Sequence, residues 1–302
     1  MGNAHDDAVQ SGVTVVLPDR PAVAAVDVRG GGPGTRDTEA LDPACLVERV
    51  DAICLAGGSV FGLDAAGGVV SRLAALGRGV PIREFRVPIV PSAIIFDLVN
   101  GGDKDWGDEP PYRRLGGEAF DNASRRFCLG RAGAGYGAMA GRIRGGLGSA
   151  SMIDGDVQVG ALVVANPVGA VTLPGEDVYW AWPFEQDAEF GGRAPSGRPL
   201  MDVAEIPGES RLGANTTLAV VATNVTLDKA QAKRVAIMAH DGLARAIRPL
   251  HTAFDGDTVF ALSTCACPMP EEAPLTVSRI GMMAADCLSR AVARAVYEAA
   301  RG

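Results

Sequence analysis

Histidine and cysteine, the residues that most often hold metals or form cross-links, are scarce in this sequence. The chain of 302 residues has three histidines and six cysteines. The histidines form no spaced pair that would complete a metal site with the Cys265-Ala-Cys267 segment. Six cysteines are also too few for a disulfide scaffold in a chain of this length. We therefore expect buried thiols and neither a metal nor another cofactor.

Long apolar runs and an excess of basic residues are missing as well. No uninterrupted apolar stretch approaches about 18 residues, and the first 30 residues contain no apolar core behind a basic start. The net charge is -8 and the isoelectric point is near 5.0. Such a field repels nucleic acids and anionic membranes. The sequence therefore favours a cytoplasmic protein with a small neutral or cationic substrate.

Strand-like and helix-like segments alternate along the chain, and no Ser/Pro-rich linker separates them. This organisation indicates one α/β or α+β domain over residues 1–302. Several predicted strands are apolar on both faces, as is required when a sheet has helices on one side and another sheet on the other. The predicted strands are 13–17, 22–28, 52–55, 157–165, 217–223 and 258–263.

Three helices are predicted from capping residues and apolar periodicity. The first follows the Gly-Gly-Ser segment at 57–59 and runs to residue 76. The second has Thr226 as its N-cap and Asp228 in its first turn. The third starts at Ser278. The Pro/Gly-rich segment 101–116 is predicted to be a surface loop.

Two glycine-rich stretches, GRAGAGYGAMAG at 130–141 and GGLGSAS at 145–151, superficially suggest a phosphate-binding loop. Neither is followed by the Gly-Lys-Ser/Thr of a P-loop. Tight turns and close backbone packing explain these stretches better.

Asp255 and Asp257 lie two residues apart at the entry of the last predicted strand. An Asp-Gly-Asp segment taken alone is typical of a solvated turn. In extended backbone, however, this spacing puts both carboxylates on one side, where they can hold an amine or a hydroxyl together. His251, four residues before Asp255, is a candidate base, although its position is more typical of a structural side chain.

Asn166 ends a fully apolar predicted strand, immediately before Pro167. A polar residue that closes a turn at the end of a strand is common. Alternatively, a side-chain amide fixed by a rigid X-Pro joint is preorganised to stabilise a developing oxyanion. The residues alone leave both interpretations open.

The stretch GANTTLAVVATN leads a polar Asn-Thr-Thr triplet into a predicted core strand. Cleavage between Asn215 and Thr216 would free an amine, with a pKa of roughly 7.7–8.0, beside the Thr216 hydroxyl. The amine could then act as the base for its own nucleophile. Orienting groups and an oxyanion donor could come from Asp255, Asp257 and Asn166. Without cleavage, the triplet is a loop that enters a strand.

A resemblance to a known family rests on segments that cover nearly the whole chain. They are AVAAVDVRGGGPGTRDTEAL, AICLAGGSVFGLDAAGGV, VPIVPSAIIFDL, GRAGAG, GGLGSAS, GALVVANPVGAV, GANTTLAVVATNV and PLHTAFDGDTVFAL. Together they resemble the DmpA-like aminopeptidases, a family that includes β-aminopeptidases, D-aminopeptidases and 6-aminohexanoate-oligomer (nylon-oligomer) hydrolases. The resemblance implies a four-layer αββα sandwich and a usual assembly of homotetramers.

The resemblance also implies a precursor that cuts itself before its nucleophile. The cut would fall between Asn215 and Thr216 and leave fragments 1–215 and 216–302, which stay together as a processed heterodimer. No cofactor is implied.

The family's site residues match four positions of this chain. The nucleophile falls on Thr216, the acidic or hydroxyl pair that assists it falls on Asp255 and Asp257, and the oxyanion asparagine falls on Asn166. The Thr-Thr start and the Asp-x-Asp pair are closer to the nylon-oligomer hydrolases than to members with serine and a Ser-x-Glu pair.

Two positions depart from the family pattern. Many members have tyrosine near the substrate where this chain has Phe96, so a hydroxyl hydrogen bond is missing. A family lysine falls on Arg142, with Arg144 as the alternative, and arginine keeps the charge but changes the geometry.

The predicted function is a self-processing hydrolase of short peptides, amino-acid amides or oligomers, including 6-aminohexanoate oligomers, that works through an acyl-threonine intermediate. Two alternatives remain open: an acyltransferase of the ornithine acetyltransferase type, and an unprocessed small-molecule-binding homologue. Product analysis with and without ornithine distinguishes the acyltransferase alternative from hydrolysis. An intact chain without hydrolysis would support the second.

Overall fold

The computed structural model describes residues 1–197, 215–270 and 272–302. The strands in these ranges are β1 (Gly2–Asp6), β2 (Ser11–Val16), β3 (Ala22–Val28), β4 (Thr35–Arg36), β5 (Arg49–Val50), β6 (Ile53–Ala56), β7 (Val80–Ile82), β8 (Phe85–Val87), β9 (Ser92–Ile94), β10 (Met139–Ala140), β11 (Ile143–Arg144), β12 (Gly146–Asp154), β13 (Val157–Asn166), β14 (Thr216–Val225) and β15 (Thr258–Cys267). The α-helices are α1 (Ala65–Ala75), α2 (Tyr112–Asp121), α3 (Lys229–Ala246) and α4 (Ala273–Ala299). No helix in these ranges has the length and apolarity needed to cross a membrane.

The larger sheet has six strands in the order β12-β13-β14-β15-β3-β5. Strands β14 and β15 run parallel, and the other neighbours run antiparallel. Small and β-branched apolar residues of β13 and β14 face each other directly, for example Val163 and Ala219. Such strands suit the centre of the sheet, because they can be buried on both faces.

The smaller sheet has five strands in the order β1-β2-β6-β9-β4. Strands β6 and β9 are parallel, and the remaining pairs are antiparallel. Two short hairpins, β7-β8 and β10-β11, lie outside both sheets. The β10-β11 hairpin lies beside the end of β13.

Three buried apolar clusters hold four layers together. One lies between the larger sheet and helices α3 and α4. The second lies between the two sheets and includes Leu55 of β6 and Phe260 of β15. The third lies between the smaller sheet and helices α1 and α2. The αββα sandwich expected from the sequence is therefore confirmed.

All six predicted strands are present, with small differences at their ends. Strand β3 has the predicted bounds, whereas β15 continues past the predicted end at residue 263 to Cys267. The apolar, β-branched composition of these segments was sufficient to predict strands, because the layers packed on the sheet bury both of its faces.

Helices α3 and α4 begin elsewhere than predicted. The N-cap of α3 is Asp228 and not Thr226. The Asp228 carboxylate accepts from Gln231 N at 2.7 Å, and Asp228 N donates to Gln231 Oε1 at 2.9 Å, which satisfies two unpaired donors at once. Helix α4 begins at Ala273, five residues before Ser278, because a proline in the first turn removes no helical hydrogen bond.

Helix α2 starts inside the segment 101–116, so the prediction of a surface loop was wrong at its C-terminal end. Tyr112, the first residue of α2, is fully buried, and its hydroxyl donates to Ser11 Oγ at 3.1 Å. The predicted helix after residues 57–59 is also divided, because a 3₁₀ helix (Ser59–Asp64) precedes α1.

Candidate active site

The ends of three central strands bring four predicted site residues together. Asn166 is the last residue of β13 and pairs directly with Thr216, the first residue of β14. Because β14 and β15 are parallel, their entries lie at the same edge of the sheet. Asp255 and Asp257 precede β15, and Asp255 forms a bridge with Asn215. The structure describes the GANTTLAVVATN stretch from Asn215 onward.

The Thr216 hydroxyl contacts the carbonyl of the residue before it. Thr216 is 2% exposed, and its Oγ1 donates to the Asn215 carbonyl oxygen at 2.5 Å. Gly256 N donates to the same oxygen at 3.1 Å. A side-chain hydroxyl and a backbone donor therefore lie at one carbonyl oxygen.

The Asp257 carboxylate holds the backbone immediately after Thr216. Its Oδ1 accepts from Thr217 N at 2.7 Å. Its Oδ2 accepts from His251 N at 3.1 Å and lies 2.8 Å from His251 Nδ1, a distance at which the ring N–H donates to the carboxylate. Asp257 is fully buried. The peptide units on both sides of Thr216 are therefore held by the 255–257 turn.

Asp255 is surrounded by neutral donors. Its Oδ1 accepts from Val168 N at 3.1 Å, and its Oδ2 accepts from Thr252 N at 2.9 Å and Thr252 Oγ1 at 2.6 Å. Burial, followed by the charge of Asp257, raises the pKa of Asp255. The negative charge of Asp257 opposes ionisation of Asp255 because like charges repel.

The Asp-Gly-Asp turn is buried, so its interpretation as a solvated turn was wrong. Both aspartates are 0% exposed. A glycine-rich loop covers the turn: Arg29 N donates to the Asp257 carbonyl at 2.9 Å, and Gly32 N donates to the Asp255 carbonyl at 2.7 Å. A Cβ on Gly30 would lie 2.3 Å from the Asp255 carbonyl oxygen. Glycine at residue 30 therefore permits this close approach.

The side chain of Asn166 is fixed by two backbone groups. Its Oδ1 accepts from Met139 N at 2.8 Å, and its Nδ2 donates to the Phe96 carbonyl at 3.4 Å. Nδ2 carries a second proton, which can serve an oxygen bound at the site. Asn166 is 2% exposed, in keeping with either of the roles considered for it.

The two positions that depart from the family pattern lie at the margin of this cluster. Phe96 is half-buried and contributes its carbonyl to Asn166. Arg142 is exposed at the tip of the β10-β11 hairpin, next to Gly141, whose N donates to the Pro167 carbonyl at 3.1 Å. Among the described residues, no hydrogen bond or ion pair joins the guanidinium of Arg142 or Arg144 to the four clustered residues.

Two histidines, the buried His240 and the half-buried His251, extend the cluster toward helix α3. The ring centroids of His240 and His251 are 4.8 Å apart in an edge-to-face arrangement. His240 Nε2 lies 3.2 Å from the carbonyl oxygen of Asp27. Burial, followed by the neighbouring His251, lowers the pKa of His240 to about 4, so this ring is neutral at neutral pH.

Sequence reasoning missed two features of the site. One is the Gly256 N–H, because a backbone donor has no side-chain signature. The other is the contact between His251 and Asp257, which depends on a positive φ of 54° at His251. Two signals in the sequence could have indicated these features: the glycine between the two aspartates, and the short spacing between His251 and the turn.

The remaining thiols and carboxylates form no further site in the part of the chain that is described. No group of three or more His, Cys, Asp or Glu side chains there could hold a metal ion. The cysteines are all free, and the expectation that they would be buried holds only for Cys54 and Cys287, since Cys265 and Cys267 are half-buried and Cys45 and Cys128 are exposed. Apolar neighbours in sequence do not bury a cysteine when the segment that carries it lies at the surface.

Comparisons with known sequences identify the family of this chain. The family model described as peptidase family S58 matches residues 2–301. An uncharacterized aminopeptidase of Mycobacterium tuberculosis is 46% identical over 303 residues, covering 95% of this chain and 86% of that protein. The 6-aminohexanoate-oligomer endohydrolase of Paenarthrobacter ureafaciens is 33% identical over 283 residues, covering 89% of this chain and 74% of that protein.

A solved structure shares the fold. The L-aminopeptidase D-Ala-esterase/amidase from Ochrobactrum anthropi, described as a variant of the Ntn-hydrolase fold, matches with a TM-score of 0.67 and 20% identity, covering 99% of this chain and 83% of that one. The resemblance to DmpA-like aminopeptidases seen in the sequence is thereby confirmed. Since the family match spans nearly its whole length, the chain belongs to peptidase family S58 and is a hydrolase of amide bonds.

Proposed function

We propose that this enzyme cuts its own chain between Asn215 and Thr216 and then uses Thr216 as an N-terminal nucleophile. The observation that carries the proposal is the 2.5 Å contact between Thr216 Oγ1 and the Asn215 carbonyl oxygen. The hydroxyl is therefore held beside the carbonyl that it would attack, and holding reacting groups together in this way can supply a large part of the rate.

Self-cleavage begins with attack of Thr216 Oγ1 on the Asn215 carbonyl carbon. The hydroxyl proton passes to the Thr216 nitrogen as the C–N bond breaks, and an ester joins Asn215 to Thr216 Oγ1. Water then hydrolyses the ester, which leaves a carboxylate on Asn215 and a free amine on Thr216.

Turnover uses the freed amine as the base. It takes the proton of Oγ1 while the oxygen attacks a substrate amide carbonyl, and Asn166 Nδ2 donates to the resulting oxyanion. The amide nitrogen leaves with a proton, and water hydrolyses the acyl-threonine ester. Asp257, which already holds Thr217 N, and Asp255 keep the Thr216 backbone and amine in register.

The paired strands support the proposal that the two fragments stay together after cleavage. Strand β13 belongs to fragment 1–215 and β14 to fragment 216–302, and the two strands pair from Val159 with Thr223 to Asn166 with Thr216. Strand β15 likewise pairs with β3 across the fragments. We propose that four such heterodimers assemble, as the family resemblance implies.

The proposed substrates are short amides with a free amino end. The buried Asp255–Asp257 pair attracts an ammonium group, and the relatives are named as an aminopeptidase and a 6-aminohexanoate-oligomer endohydrolase. Short peptides, amino-acid amides and 6-aminohexanoate oligomers all present an amine near an amide carbonyl.

A Thr216→Ala variant tests both steps, because it lacks the nucleophile of each. We expect an uncleaved chain that releases no amine from aminoacyl p-nitroanilides of the α, β and D series or from 6-aminohexanoate oligomers. The matched control is Thr217→Val, since the Thr217 hydroxyl is buried without a hydrogen-bond partner. This control should be cleaved and active. A fully processed or active Thr216→Ala chain would contradict the proposal.

A further inference from the structure

The carbonyl at the proposed cut accepts a hydrogen bond from a backbone N–H. Gly256 N donates to the Asn215 carbonyl oxygen at 3.1 Å, on the same oxygen that Thr216 Oγ1 contacts. When Oγ1 attacks the carbonyl carbon, negative charge develops on that oxygen. A donor already in place stabilises this charge without reorganisation.

The peptide unit that carries this donor is held rigidly. The Asp255 carbonyl, in the same peptide unit as Gly256 N, accepts from Gly32 N at 2.7 Å. The Gly256 carbonyl accepts from Thr258 Oγ1 at 2.9 Å. The direction of the Gly256 N–H is therefore fixed before any chemistry occurs.

Only glycine allows the hydroxyl and the N–H to reach one carbonyl together. A Cβ on Gly256 would lie 2.6 Å from Thr216 Oγ1 and 2.9 Å from the Gly32 carbonyl oxygen. Because the second contact is with the backbone at Gly32, this loop could move only at a substantial cost in energy. A residue larger than glycine at 256 would therefore displace the Thr216 hydroxyl.

The Asn166 amide does not contact the carbonyl at the proposed cut. Its Oδ1 accepts from Met139 N and its Nδ2 donates to the Phe96 carbonyl, and neither atom bonds to the Asn215 carbonyl. The side chain assigned to the oxyanion of turnover is therefore a different donor from the one at the carbonyl to be cut.

We propose that the enzyme divides oxyanion stabilisation between two donors: the Gly256 N–H acts in self-cleavage, and the Asn166 amide acts in turnover. This inference rests on the proposed self-processing at Asn215. As the Oγ1–C bond forms, the carbonyl π electrons move onto the oxygen, which the Gly256 N–H stabilises while keeping its proton. The carbonyl reforms when the C–N bond breaks.

The direct test replaces residue 256 with glycolic acid, which exchanges the N–H for an ester oxygen and adds no atoms. Removal of one oxyanion donor costs about 10²–10³ in rate. We therefore expect the rate of self-cleavage, followed by intact-protein mass spectrometry, to fall by about that factor. Asn166→Ala should lose far more of kcat for added substrate than of the cleavage rate.

The matched control carries glycolic acid at Gly155, in the exposed turn between β12 and β13, and should be cleaved at the wild-type rate. An unchanged cleavage rate with the ester at residue 256 would overturn the division of donors. A wild-type chain that is never cleaved would instead overturn the proposed function.

A second measurement applies if the ester chain does not fold. In an uncleavable Thr216→Val chain, the ¹³C-labelled carbonyl of Asn215 keeps only the Gly256 donor. We expect its infrared stretching band at lower frequency than that of an amide carbonyl without a hydrogen bond. A band at the unbonded position would overturn the inference.

Discussion

The two aspartates of the 255–257 turn have different surroundings despite their closeness in sequence. Asp257 contacts His251 and the backbone of Thr217, whereas Asp255 meets neutral donors from Thr252 and Val168. The charge of Asp257 opposes ionisation of Asp255 and adds to the effect of burial. The protonation of Asp255 therefore depends on the charge of Asp257.

Replacing Asp257 with asparagine should lower the pKa of Asp255, because a charge that raises it is removed. Asp255 would then stay ionised to lower pH. The pKa can be measured from the ¹³Cγ chemical shift of Asp255 in an uncleaved Thr216→Ala background. Asp241→Asn, an exposed substitution on α3, is the control and should leave the titration unchanged. An unchanged or higher Asp255 pKa in Asp257→Asn would contradict the linkage.

The site residues were predictable to different degrees. For Thr216, Asp255, Asp257 and Asn166, the residues alone left loop and turn interpretations open, and the family resemblance favoured a site. The structure places the four side chains at one sheet edge, but their roles stay predictions. The Gly256 N–H could not be predicted, because its direction depends on contacts with a loop more than 200 residues away in sequence.

Helices α3 and α4 pack closely because glycine lies at their contact. A Cβ on Gly242 would lie 2.0 Å from the Ala285 carbonyl oxygen of α4. Ser289 Oγ donates to the Gly242 carbonyl at 2.9 Å across the same contact. The two backbones therefore approach more closely than side chains at this position would permit.

Gly242→Ala should destabilise the fold even though alanine favours helices. The backbone clash with Ala285 should cost about 1–3 kcal/mol of the free energy of unfolding, which exceeds the gain of roughly 0.5–1 kcal/mol from helix propensity. Urea denaturation of the uncleaved Thr216→Ala chain measures the change, since unfolding of one chain avoids fragment dissociation. The control is Gly160→Ala in β13, which has open space around the added Cβ and should not destabilise. Equal effects of the two substitutions would contradict the packing argument.

Strands were more predictable than helix boundaries. Strand β3 was predicted with its observed bounds because its composition suits a doubly buried position. Helix α2 was missed because Pro110-Pro111 and nearby glycines indicate a loop, while the contacts that bury Tyr112 involve a strand far away in sequence. Local propensity predicts an element poorly where distant contacts decide its stability.

A buried polar contact links helix α3 to the larger sheet. His240 of α3 contacts the carbonyl oxygen of Asp27 in β3, with 6% of its side chain exposed. This position explains the lowered pKa, since a charged ring here would lose its hydration. Above about pH 4, the folded chain therefore requires His240 in its neutral form.

This requirement predicts a loss of stability in mild acid. The unfolded chain binds a proton at His240 below about pH 6.5, whereas the folded chain binds it only below about pH 4, so stability falls as pH decreases between these values. The contribution is roughly 3 kcal/mol. In the uncleaved Thr216→Ala background, a chain with His240→Gln should lose less of its free energy of unfolding over this pH range than a chain that keeps His240. Urea denaturation measures both values. The same pH dependence in both chains would contradict the assignment.

The mass of the purified protein shows directly whether the chain cuts itself. Intact-protein mass spectrometry of freshly purified wild-type protein, with N-terminal sequencing of the smaller species, locates any cut. The account predicts fragments of 215 and 87 residues, the smaller one beginning Thr216-Thr217-Leu218. A stable chain of 302 residues, or a cut at another bond, would contradict it.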